Sequence, residues 1–144
     1  MPTPKTIDGD INRMKWNEIY GETLSYQSNS NAQIDLDAIL GTWINSNQQT
    51  EWIKKFTITQ QDDRLFINAY GADSPEDWGK VEVTTFVDNL GQTAFNAYYN
   101  LDGVEPLLAA NMNKGLCVIA AFLKFKDGER TNFLCREFYY KLDQ

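Results

Sequence analysis

From Thr42 onward the chain is dominated by segments in which apolar side chains recur at every second position. This is the period of a β-strand whose two faces meet different surroundings. Residues 80–88 show the pattern most clearly, with Val81, Val83 and Val87 on one face. The predicted strands cover residues 42–46, 52–59, 64–71, 80–88, 93–101, 107–113, 115–126 and 130–142.

The links between these eight segments are short, and none has the length of a helical crossover. Short links force neighbouring strands to run antiparallel. Eight such strands in succession predict an all-β fold, an eight-stranded up-and-down antiparallel β-barrel in which closure removes the sheet edges. A two-sheet sandwich is the alternative, although its Greek-key connections usually need longer links.

The first 33 residues differ from the rest, and a length of 144 residues suits one domain. We expect an N-terminal extension over residues 1–33 and a barrel over residues 34–144. In the extension, Trp16, Ile19 and Tyr20 have the spacing of one short amphipathic helix. The extension is interpreted as a tail docked on the barrel, with a lid or dimer arm as the alternative. A further turn of helix is expected over residues 37–40, before Gly41.

The charge of the chain limits its partners. The formal net charge is −7, and the 13 Lys and Arg residues are scattered rather than clustered. Such a chain repels phosphate backbones and anionic membrane surfaces, so we expect no nucleic-acid or membrane partner. There is no apolar run of membrane-spanning length and no signal-peptide core near the start. These features predict a soluble cytoplasmic protein.

The sequence contains no histidine. This excludes Ser-His-Asp and Cys-His catalysis and removes the commonest metal and haem ligand. Asp73, Glu76 and Asp77 lie close together, but they lack the spacing of a known calcium loop. We therefore expect neither a metal site nor a cofactor. Any general base would be a buried Glu or Asp.

The two cysteines can be placed if Asp127 and Gly128 form a two-residue hairpin loop. In that register Cys135 lies opposite Ala120, and Cys117 lies opposite Phe138. Cross-strand partners share a face and faces alternate along a strand, so the two thiols would point to opposite faces. Free thiols are therefore predicted.

Leu40-Gly41-Thr42-Trp43 with Asn45 resembles the first strand of the calycins, which comprise lipocalins, fatty-acid-binding proteins and avidins. The run from Cys135 through Arg136 to the following aromatics is similar to the end of fatty-acid-binding proteins. The resemblance implies structural roles for Gly41, Trp43 and Arg136, in which Trp43 plugs one end of the barrel and Arg136 packs over it. Arg136 could instead hold a ligand carboxylate.

A barrel of eight strands can be filled by side chains or can hold one small ligand. Several strand faces mix polar and aromatic residues, as binding cavities do. The predicted ligand-binding residues are Asn45, Asn68, Tyr70, Asn96, Tyr98, Arg136 and Tyr140. In the alternative phase these faces meet solvent, and the core is formed by Leu65, Ile67, Ala69, Phe95, Ala97 and Tyr99.

Residues 71–80 interrupt the alternation. Asp73 or Ser74 as an N-cap and Pro75 at the first helical position predict one short helical turn. This segment is interpreted either as a capped turn between strands or as a loop that places Trp78 over the barrel opening.

The leading functional hypothesis is a carrier or sensor of a small hydrophobic or amphipathic molecule. The first alternative is an enzyme on the same barrel, such as a cofactor-free isomerase, a cyclase or a chromophore lyase. The second is a protein-interaction module with a filled core and an exposed apolar patch around Trp16, Trp52 or Trp78. Assembly into a homodimer is left open.

Overall fold

A computed structural model describes residues 34–73 and 75–143. Its eight strands form one closed antiparallel barrel in which each strand pairs with the next and the first strand pairs with the last. The predicted up-and-down barrel is confirmed, and the sandwich is excluded. The predicted N-terminal extension and its helix lie outside the described residues. The strands are β1 (Gly41–Asn45), β2 (Ile53–Gln61), β3 (Arg64–Gly71), β4 (Asp77–Val87), β5 (Thr93–Tyr98), β6 (Val104–Asn113), β7 (Leu116–Phe125) and β8 (Phe133–Lys141).

The two ends of the barrel differ. One end, which we call the open end, carries the loops β1–β2, β3–β4, β5–β6 and β7–β8. The other, the closed end, carries the tighter turns between the remaining strands and a 3-10 helix at Leu36–Ala38 that precedes β1. The predicted turn of helix before Gly41 is therefore present, in 3-10 form.

Aromatic side chains fill the part of the interior nearer the closed end. Phe56 is fully buried at their centre. Its ring lies 6.1 Å from that of Trp43, 5.1 Å from that of Tyr139 and 6.3 Å from that of Phe95. Ring pairs at these separations add to the free energy gained by burial itself. This part of the barrel is a packed core rather than a container.

Trp43 closes that end, but Arg136 does not cover it. The Trp43 indole N–H donates to the Ile39 carbonyl at 2.9 Å, and the side chain is 1% exposed. Lys141 lies directly opposite Trp43 on β8, with its ammonium 5.7 Å from the ring centre. Arg136 is exposed on the outer face of β8, so the role inferred for it from the calycin resemblance is wrong. Lys141 takes that role.

The predicted register of the last hairpin is also wrong, by one residue. Cys117 pairs with Tyr139 and Cys135 with Ala121, so both thiols lie on the inner face. The reason is the loop, which runs over residues 126–132 instead of two residues. The two cysteines lie four positions apart along the paired strands, which separates them by about 13 Å in the strand direction. The prediction of free thiols is confirmed, although by distance rather than by opposite faces.

Candidate functional site

A cavity of about 610 Å³ lies at the open end of the barrel. All four loops of that end contribute to its walls, so it exists only because the barrel is closed. Its volume falls in the range of small-molecule sites. The large apolar side chains of the lining are Trp52, Trp78, Leu101, Val104, Phe125 and Phe133.

One wall is a cluster of three aromatic rings. Trp52 precedes β2, Phe125 ends β7 and Phe133 begins β8. The Trp52 ring centre lies 6.0 Å from that of Phe125 and 5.6 Å from that of Phe133. Phe125 and Phe133 are stacked, with their centres 5.8 Å apart. These rings present a broad apolar surface that remains partly open to solvent.

Trp78 forms part of the opposite wall, as one of the two interpretations of residues 71–80 predicted. Its position depends on an irregularity between β3 and β4, where the register shifts between Asn68 and Tyr70. The Tyr99 hydroxyl fills the resulting gap in the ladder. It accepts from the Ala69 N–H at 3.0 Å and lies 2.8 Å from the Gly79 carbonyl. The Trp78 ring packs edge-on against the Tyr99 ring at 5.4 Å.

The short helical turn predicted between β3 and β4 is not formed by its described residues. Pro75 and Glu76 lie in bends, and Asp77 already belongs to β4. The Asp77 carboxylate accepts from the Asn68 side chain at 2.8 Å and from the Gly79 N–H at 2.9 Å. These bonds hold Asp77 against β3 in extended backbone. They also lower the pKa of Asp77.

The rim of the cavity is mainly acidic. Glu51, Asp73 and Asp102 line it, together with one cation, Arg130. Arg130 is held by Asp127, whose carboxylate accepts from the Arg130 Nε at 2.9 Å and from its backbone N–H at 3.1 Å. Backbone N–H donors and this guanidinium lower the pKa of Asp127 to about 2.

Below Trp52 and Trp78 the interior narrows to a void of about 10 Å³, roughly the room that one water molecule needs. Cys135, Glu137 and Tyr139 line this floor. Burial is the main reason why the pKa of the Cys135 thiol rises to about 11, and the nearby Glu137 charge adds to the shift. Burial likewise raises the pKa of Tyr139.

Glu137 anchors the loop between β1 and β2. Its Oε1 accepts from the Thr50 hydroxyl at 2.6 Å and from the Asn45 amide at 3.1 Å. The same amide donates to the Ile53 carbonyl at 3.0 Å. Glu137 was not among the residues predicted from the sequence, because the phase assigned to β8 pointed Arg136 inward. The sequence feature that could have placed Glu137 inward is the aromatic Tyr139 two positions later. Tyr139 shares the inner face with Glu137 and is 2% exposed.

Of the seven predicted ligand-binding residues, only Asn45 points into the barrel. The inward orientation expected for the other six is wrong. These six residues face outward, and the alternating residues of the alternative interpretation form the core. Ile67, Ala69, Phe95 and Tyr99 are each no more than 1% exposed. The six outer residues are Asn68, Tyr70, Asn96, Tyr98, Arg136 and Tyr140.

Contacts on the outer face account for several of these six residues. The Lys55 ammonium lies 4.9 Å from the centre of the Tyr70 ring. The Tyr98 hydroxyl donates to Glu105, which raises the pKa of Tyr98 and lowers that of Glu105. Asn68 bonds Asp77 as described above. The structure therefore brings these residues to the outer surface and not to one common site.

In residues 34–73 and 75–143 no three Cys, Asp or Glu side chains converge in a way that could hold a metal ion. The same part of the chain contains no helix with the length and apolarity needed to cross a membrane. No protein-family model, no curated protein and no solved structure matches the chain.

Proposed function

We propose that this protein is a calycin-like barrel that binds a small, partly apolar molecule in the cavity at its open end. The observation that carries the proposal is the cavity of about 610 Å³, with aromatic rings on opposite walls and charged groups at the rim. Apolar burial would supply most of the binding free energy, at about 25 cal/mol per Å². The rim groups would set the orientation of the ligand.

The calycin-like assignment is supported by the position of Gly41-Thr42-Trp43 at the start of β1. Trp43 is buried at the closed end, and a cation from the last strand covers its ring. The departure from the family pattern is the identity of that cation, which is Lys141 rather than Arg136. The filled core next to Trp43 moves the expected ligand from the centre of the barrel to its open end.

Binding is a better fit to the cavity than acid–base catalysis. An enzyme without histidine would need a carboxyl or phenol group with a shifted pKa at the ligand. Among the described residues two phenols, Tyr99 and Tyr139, have large pKa shifts. Their hydroxyls bond backbone groups, and Tyr139 donates to the Ile53 carbonyl at 2.8 Å. Their shifts follow from their burial in the core. The alternatives of an enzyme, a protein-interaction module and a homodimer remain untested predictions.

The experiment that tests this function is native mass spectrometry of the full chain purified from its own host, with identification of any molecule released on denaturation. We expect a bound molecule at one per chain. A matched pair of variants then locates it. Phe133 and Phe138 both lie on β8 and are 41% and 40% exposed, but only Phe133 lines the cavity. Phe133→Ala should reduce occupancy, whereas Phe138→Ala should not. Equal occupancy in both variants would place the ligand elsewhere.

A further inference from the structure

The electrostatics and the aromatic lining of the open-end cavity narrow the class of ligand. We propose that the cavity selects an organic cation, an aromatic or aliphatic amine whose positive charge lies between the aromatic walls and the acidic rim. This inference rests on the proposed binding function, and it adds the sign of the ligand charge.

The charged groups around the cavity are mainly acidic. Glu51, Asp73 and Asp102 line the rim, and among the described residues none of them takes part in an ion pair. Within residues 34–73 and 75–143, Arg130 is the one lining cation, and Asp127 already pairs with it. The three rim carboxylates are therefore not balanced by a lining cation. A low-dielectric wall beside such groups concentrates their field in the opening.

The floor of the cavity also carries a carboxylate. Glu137 lies beneath Trp52 and Trp78, and in the described part of the chain the donors that reach its carboxylate are neutral amide and hydroxyl groups. Its charge is therefore stabilised but not cancelled. A ligand in the cavity would thus lie between negative groups at the rim and a negative group at the floor, which favours a positive charge between them.

The aromatic lining favours a cation independently of the three rim carboxylates. The guanidinium of Arg130 lies 4.0 Å from the centre of the Phe125 ring, so a cation already lies on one face of the aromatic lining. The electron-rich faces of Trp, Tyr and Phe attract cations, and Trp is the strongest of the three. Trp52 and Trp78 provide two further rings in the same cavity. A bound amine would meet the same kind of surface that Arg130 meets on Phe125.

The test compares three probes that share one naphthalene ring and differ in charge. They are the cation of 2-(1-naphthyl)ethylamine, the neutral 2-(1-naphthyl)ethanol and the carboxylate anion of 1-naphthaleneacetic acid. Their affinities for the full chain are measured by titration calorimetry at neutral pH, in low and in high salt. We expect the amine to bind at least about tenfold more tightly than the carboxylate at low salt, with a smaller ratio at high salt because rim charges are screened. The neutral alcohol should bind with intermediate affinity.

A pair of charge-matched variants assigns the effect to the cavity. Asp73→Asn with Asp102→Asn removes two rim charges, and Asp62→Asn with Asp63→Asn removes two charges from the β2–β3 turn at the closed end. The rim variant should weaken amine binding by about threefold to tenfold and leave alcohol binding unchanged. The turn variant should bind all three probes as the wild type does.

The outcomes separate the two proposals. If the alcohol binds but the amine has no advantage over the carboxylate, the inference about ligand charge is overturned and the binding function stands. If the rim and turn variants weaken amine binding equally, the preference comes from net charge alone and the inference also fails. If none of the three probes binds the wild type, both proposals are overturned.

Discussion

The ammonium group of Lys141 lies 5.7 Å from the centre of the Trp43 ring, directly across the pairing of β8 with β1. The same ammonium donates to the Asp37 carbonyl at 3.0 Å and so ties the 3-10 helix to the last strand. Gly41 makes room for this arrangement, because a Cβ there would lie 3.0 Å from the Lys141 Cε, and its φ is +121°. These contacts seal the closed end of the barrel.

Replacement of Lys141 by methionine should therefore destabilise the barrel. The variant loses the cation–π contact and the hydrogen bond to Asp37 but keeps a side chain of similar length. We expect the free energy of unfolding to fall by about 1 kcal/mol. Urea denaturation followed by tryptophan fluorescence measures it. Lys124→Met is the control, since Lys124 is exposed on the outer face of β7. An equal loss in both variants would contradict the role of Lys141.

The Tyr99 hydroxyl is expected to contribute more to the free energy of unfolding than Lys141 does. It accepts from the Ala69 N–H and lies within bonding distance of the Ile67 and Gly79 carbonyls, at 3.1 and 2.8 Å. Tyr99→Phe leaves a buried donor without a partner, which costs about 1–3 kcal/mol. Chemical denaturation should show a loss in that range. Tyr98→Phe is the control, because Tyr98 is 49% exposed. A stability equal to that of the control would show that the Tyr99 hydroxyl is dispensable.

Buried phenols also predict a loss of stability at alkaline pH. Burial raises the pKa of Tyr99 from 10.0 to about 12. The folded state therefore holds a proton that the unfolded state releases. The contribution of this group to stability is fully present below pH 10 and is lost as the pH rises from 10 to about 12. Denaturation curves between those values should show the loss in the wild type. If the Tyr99→Phe variant showed the same pH dependence, the loss of stability would come from other groups.

Glu137→Gln should loosen the β1–β2 loop and change the chemistry of Cys135. The charged acceptor of Asn45 and Thr50 is lost, so we expect the free energy of unfolding to fall by about 1–3 kcal/mol. The Glu137 charge also contributes to the raised pKa of Cys135, so that pKa should fall toward its ordinary value. Alkylation of Cys135 by iodoacetamide near pH 9 should then become faster.

Two comparisons control that experiment. Cys117 is fully buried, with a pKa raised to about 12 by burial, and should stay slow to react in both proteins. Glu105→Gln removes a carboxylate from β6 that accepts a bond from Tyr98 on the outer surface, and it should leave the alkylation of Cys135 unchanged. A Cys135 pKa that does not move in Glu137→Gln would exclude the electrostatic influence of Glu137.

The strands could be predicted from the sequence because alternation and turn residues are local signals. The direction of each face could not, because the outer faces of β3 and β5 carry aromatic as well as polar side chains. Phe66 is one reason: it lies on the outer face, with the cationic groups of Arg64 and Lys80 each 5.2 Å from its ring. Long cationic side chains can cover an apolar ring in this way. Tyr99 is the other reason. This polar residue is buried because its hydroxyl bonds backbone groups where the pairing of β3 with β4 is irregular.

The candidate site was predictable only in part. Trp78 at the opening was one of two interpretations of residues 71–80, which interrupt the alternation. The rest of the cavity comes from loops far apart in the chain, and only closure of the barrel brings Trp52, Leu101 and Phe133 together. The inward position of Glu137 depends on the β7–β8 register. A two-residue hairpin shifts that register by one position, and every residue of β8 then changes face.

The most direct test of the central claim is an amide chemical-shift map of the ¹⁵N-labelled protein titrated with 2-(1-naphthyl)ethanol, the neutral probe. If the open-end cavity binds small molecules, saturable shifts will appear at residues 51–52, 71–73, 75–78, 101–104 and 125–133. The closed end, at residues 36–43, 61–64 and 88–92, will stay unchanged. Shifts centred on the closed end or on the outer faces of the strands, or no saturable shift at all, would contradict the account.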